Sequence, residues 1–127
     1  MLEYNEFMNK IVYDWALVTG SRAKKDVIDK TTVNNILEMF QGEPSDACLK
    51  VMFYIMRQEN RDEIKDKKLS KQLLAHLKEL YESFNKEPDK LESAVRKYLI
   101  LFKWVSESNI RNVSGLADLL NVIGGGK

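Results

Sequence analysis

The stretch Cys48 to Met56, "CLKVMFYIM", places an apolar or aromatic side chain at every position except Lys50. So dense a run fits a helix buried on all sides or a strand inside a sheet. The flanking "RQENRDEIKDKK" is rich in helix formers and has no turn signal, which favours helix. The sequence therefore predicts a buried central helix over about 46–58 as the hub of the core, with Ser45 or Asp46 as its cap.

The other segments show helical periodicity. Tyr4, Phe7, Met8, Ile11, Val12, Trp15 and Val18 recur at three- and four-residue steps, giving a helix from about Leu2 to Thr19 stopped by Gly20. Tyr13 and Leu17 lie opposite that face. A linker, "SRAKKDVIDK", follows, and Thr31 or Thr32 is placed to cap a short helix through Val33, Ile36, Leu37 and Phe40. Leu69, Leu73, Leu77, Leu80, Tyr81 and Phe84 mark a fourth helix. Pro88 suits the first turn of a fifth, and Ser114 is placed to cap a last short one. The expected architecture is all-α: a compact bundle of five to six helices in one domain, residues 1–127, with 124–127 a flexible tail. Only two prolines, and six glycines of which three close the chain, suit that reading.

The chemistry available is narrow. His76 is the only histidine and Cys48 the only cysteine, so one chain builds neither a His/Cys metal cluster nor a His-containing catalytic triad. Both read as packed residues. Glu59, Asp62, Glu63 and Asp66 alternate with lysines and arginines as on a solvated helix face. No glycine-rich phosphate loop is present. The chain is expected to be no enzyme, with no catalytic residue, no metal and no cofactor. Glu3, Glu6, Lys10 and Asp14 break up the first helix, which argues against a signal peptide. No run reaches the roughly 20 apolar residues of a membrane span. No membrane partner and a cytoplasmic location are expected.

The net charge of +1 conceals an uneven distribution. "SRAKK" and "RQENRDEIKDKKLSK" are basic, and between residues 96 and 111 Arg96, Lys97, Lys103 and Arg111 face only Glu107. Basic patches of this kind suit phosphate-backbone contacts. Winding "VRKYLILFKWVSES" at about 100° per residue puts Leu91, Val95, Tyr98, Leu99, Phe102 and Val105 on one face. Ile100, Leu101 and Trp104 fall opposite, where an amphipathic helix would be polar. These three are the expected partner interface.

The order "KTTVNNILEMF", "LKVMFYIMRQENR", "LSKQLLAHLKEL" and "LESAVRKYLILFKWVSES" resembles the small all-helical subunit of type III-A (Csm) CRISPR interference complexes, over about residues 30 to 108. The resemblance implies a non-catalytic subunit of an antiviral ribonucleoprotein. Such a subunit stacks with copies of itself and other subunits and contacts the backbone of RNA or single-stranded DNA. Arg57, Arg61, Lys97 and Lys103, with Lys24 and Lys25 as outliers, are the positions it implies for that contact. The competing expectation is a protein-interaction or regulatory module, an obligate homodimer without nucleic acid.

Overall fold

The structure, a computed structural model, describes residues 1–125. It is an all-α bundle of six helices with no strand among the described residues. Helix α1 covers residues 4–20 in three registers: an α-turn Tyr4–Glu6, a π-turn Phe7–Ile11 and an α-helix Val12–Gly20. Then come α2 (Lys30–Glu38), α3 (Pro44–Asn60), α4 (Lys67–Phe84), α5 (Pro88–Glu107) and α6 (Leu116–Gly125). The tail expected over 124–127 falls partly outside the described residues. Gly124 and Gly125 form the last turn of α6.

Three helix starts are capped by side chains, two of them by other residues than expected. Asp29, not Thr31 or Thr32, caps α2, its carboxylate accepting from the Thr31 amide at 3.0 Å. Glu43 caps α3 from the Asp46 amide at 2.9 Å, and Pro44 occupies the first turn, where its missing N–H costs nothing. Asp66 caps α4 from Lys68 and Leu69. For α2 and α3 an acidic side chain two or three residues upstream takes the place of the residue expected to cap.

The core is continuous from Phe7 to Phe102. Tyr98, Phe7, Phe40, Phe102, Leu77 and Leu91 are among its fully buried side chains, each worth about 1.5–3 kcal/mol of transfer free energy. Its hub is α5, which packs against α1, α2, α3 and α4. That corrects the expected central place of residues 46–58. Helix α3 buries only the Cys48, Val51, Ile55 face and exposes Phe53 at 66% and Met56 at 42%.

Helices α1 and α5 run parallel. Lys97, midway along α5, meets Met8 near the start of α1, and Gly20 meets Val105 near the ends of both. A Cβ on Gly20 would sit 2.6 Å from the Val105 Cβ, so only glycine permits this approach. The bundle thus has two distinguishable ends. Loops 21–29, 61–66 and 108–115 gather at the upper end through the Ile28–Ile64 bridge and bonds from Val113 and Asn112 to Ser21. At the lower end Leu2 donates to Ser83, and Ser45 to the Asn85 carbonyl.

Candidate nucleic-acid and partner surfaces

The expected basic residues divide into two groups once their partners are visible. Lys24 is buried at 6% exposure, and its Nζ donates to the carbonyls of Val105 (3.1 Å), Ser106 (3.4 Å) and Ser108 (2.9 Å). These carbonyls lie at the C-terminal end of α5, where a cation also meets the negative pole of the helix. Burial, and secondarily the nearby Arg111 charge, lower the Lys24 pKa. Lys97 donates to the Met8 carbonyl at 2.9 Å, with its Nζ 4.8 Å from the Tyr13 ring centroid. Lys103 pairs with Glu107 at 3.2 Å. All three ammonium groups are engaged within the chain.

Lys25, Arg57 and Arg61 are exposed, and no carboxylate among the described residues pairs with them. The fold adds Lys30, Lys65, Lys67, Lys68 and Lys71, equally exposed and unpaired within the described residues. Lys25 and Lys65 line one hollow with Asp29, Asp62 and Glu63, because the Ile28–Ile64 bridge draws their loops together. Carboxylates at this end are partly committed: Asp29 and Asp66 to caps, Glu59 to Ser70 at 2.9 Å, Glu107 to Lys103. The lower end carries the opposite balance, with Glu3, Glu6, Glu43, Asp46, Glu82, Glu87 and Asp89 exposed. The run "KDKK" marked the lysines in the sequence. Its meeting with loop 21–29 had no local signal.

Beneath these surfaces lies an aromatic and polar cluster. His76 stacks on Trp15 with ring centroids 4.3 Å apart and planes 4° from parallel, and its Nδ1 is 2.7 Å from the Tyr98 hydroxyl. That hydroxyl also meets Thr19 Oγ1 at 3.3 Å, and Thr19 donates to the Trp15 carbonyl at 2.9 Å. Burial lowers the His76 pKa to about 4 and raises that of Tyr98, against which the Thr19 bond works. Cys48, buried against the Leu77 carbonyl, has its thiol pushed up to about 12 by burial. Neutral imidazole, neutral phenol and protonated thiol are packing groups here. Among the described residues no three His, Cys, Asp or Glu converge as a metal-binding group.

The three expected interface residues separate. Leu101 packs partly buried against the core, Ile100 is half-buried, and Trp104 is 63% exposed. Tyr13 lies under Lys97 and Leu17 is buried, so the face of α1 opposite Phe7 is covered by its own chain. Exposed Phe53 and Met56 on α3, and Leu120, Val122 and Ile123 on α6, were not expected. Winding "CLKVMFYIM" would have found the first pair, since Leu49, Phe53 and Met56 share a face about 120° from Cys48, Val51 and Ile55.

These surfaces define a helical bundle with one basic end and several uncovered apolar faces, and no helix of its described residues is long and apolar enough to cross a membrane. Compared with protein-family models, curated proteins and solved structures, the chain matches none.

Proposed function

We propose that this chain is a non-catalytic helical subunit that lays its basic upper end along the backbone of RNA or single-stranded DNA. It works inside a cytoplasmic ribonucleoprotein complex and joins the other subunits through its exposed apolar faces. The observation that carries this reading is the set of cations, unpaired among the described residues, that α2, α3, α4 and two loops bring to one end, led by Lys25, Arg57 and Arg61. Cations of this kind release counterions from phosphates without reading sequence. The helix order that resembles the small Csm subunit supports a place in CRISPR antiviral defence.

The test is fluorescence anisotropy with a labelled single-stranded RNA at 50 and 200 mM salt. Binding that weakens steeply with salt, and is lost in an Arg57→Glu/Arg61→Glu variant, supports the proposal. No binding at 50 mM salt overturns it. Trp104, 63% exposed beside half-buried Ile100, favours a second reading, a protein-interaction module or homodimer that binds no nucleic acid.

A further inference from the structure

The upper end contains a cleft of about 230 Å³ between loop 23–28, the start of α2 and the end of α5, lined by Ala23, Lys25, Ile28, Lys30, Val33, Ser106 and Glu107. Its chemistry is divided. Ala23, Ile28 and Val33 make an apolar floor, each at most 5% exposed. Lys25 and Lys30 stand exposed at the rim, with no carboxylate partner among the described residues. The one carboxylate in the wall, Glu107, is turned to Lys103 at 3.2 Å. Ser106 Oγ gives its proton to the Lys103 carbonyl at 2.6 Å and keeps its lone pairs.

All three walls are fixed before any ligand arrives. Asp29 caps α2, the Ile28–Ile64 bridge holds the loop, and Lys24 clamps the last carbonyls of α5. A preformed cleft spends little free energy on ordering when it binds. Its volume lies below the ~300 Å³ at which pockets for drug-sized ligands begin, so the occupant's buried body is one small ring system. An apolar floor with two free cations at the mouth matches a molecule with a flat, weakly polar body and an anionic head.

We infer that this cleft seats a single nucleotide, its base or sugar face on Ala23, Ile28 and Val33 and its phosphate between Lys25 and Lys30. The choice of a nucleotide over other amphipathic anions rests on the nucleic-acid reading above. Its source is the 5′-phosphorylated end of a bound strand or a free mononucleotide.

Backbone amide shifts in NMR, followed during titration, test the inference. The probes are cytidine 5′-monophosphate, cytidine, inorganic phosphate and a 5′-phosphorylated ten-nucleotide RNA. Cytidine monophosphate is expected to shift the Ala23, Ile28 and Val33 amides. Cytidine and phosphate alone should bind at least about tenfold more weakly, and Lys25→Gln/Lys30→Gln should weaken the monophosphate by a similar factor, as loss of charge-assisted bonds predicts. Ser106→Phe, which narrows the cleft from its rim, should abolish the shifts while leaving the remaining spectrum folded. If the RNA moves the same amides and displaces the monophosphate, the seat takes a strand end. If only the monophosphate moves them, the seat takes free nucleotide. Monophosphate binding with no RNA binding anywhere sinks the strand-binding function and leaves the cleft standing. RNA binding at Arg57 and Arg61 with no probe moving the cleft amides overturns the cleft alone, as does inorganic phosphate matching the monophosphate.

Discussion

Lys97 Nζ donates to the Met8 carbonyl at 2.9 Å across 89 residues of sequence, and a change of helical register frees that acceptor. The Val12 amide, which an α-helix would give to Met8, goes to Phe7 in the π-turn Phe7–Ile11. Lys97 supplies that carbonyl with a donor from α5. Lys97→Met should therefore destabilise the fold by about 1–3 kcal/mol, the usual cost of a stranded acceptor in partial burial, as read by urea unfolding. The same variant should leave RNA affinity nearly unchanged, because its charge already serves the α1–α5 contact. A large loss of affinity with intact stability would show that Lys97 does reach a phosphate.

Lys24 holds the end of α5 to loop 21–29 through three carbonyls. Lys24→Met keeps most of the length of the side chain and removes its donors. A loss of about 1.5–3 kcal/mol is expected, the range of hydrogen bonds to a charged group. Hydrogen exchange should quicken first at residues 105–113. Uniform exchange would mean that the clamp is not a local device.

His76 makes stability depend on pH in a calculable direction. Its ordinary pKa of 6.5 falls to about 4 in the folded chain through burial, so on acidification the unfolded chain takes up the proton first. Its contribution is present in full above about 6.5 and is lost as pH falls toward 4. The loss should be on the order of 2 kcal/mol once the ring's partial exposure is allowed for. Urea unfolding at pH 7 and pH 5 measures about half of it, above the pH at which carboxylates mainly titrate. His76→Phe should flatten that interval, and an unchanged slope would place the titration elsewhere.

Trp104 tests what covers the open side of α5. Trp104→Asp should leave the unfolding free energy within about 0.5 kcal/mol, as exposed substitutions do. It should also abolish any concentration dependence of mass in sedimentation equilibrium. A wild-type chain that stays monomeric at every concentration rules out the homodimer and leaves this face to a different protein.

The helices were legible because their apolar residues repeat with the helical period, and their order and number follow from it. The choice of hub was not. Residues 48–56 are denser in apolar side chains than α5, yet α3 leaves Phe53 and Met56 outside while α5 buries Leu91, Val95, Leu99 and Phe102 among four neighbours. Density reports what a helix offers, and neighbours decide what it buries. The same gap explains the site. A lysine in sequence is only a charge, and nothing near Lys24 or Lys97 announces that its acceptors are carbonyls about 80 to 90 residues away. Arg57 and Arg61 kept their exposure because α3 ends there, with Asp62 in the left-handed region at φ 66°.

The parallel course of α1 and α5 has an electrostatic consequence. With α3 running the same way, three helices end at the upper end, and α2, α4 and α6 begin there. Each terminus carries roughly half an elementary charge, so three positive and three negative poles nearly cancel beneath the lysines and arginines. The peptide framework thus adds almost no net charge of its own, and the attraction of that end for an anion is set by its side chains.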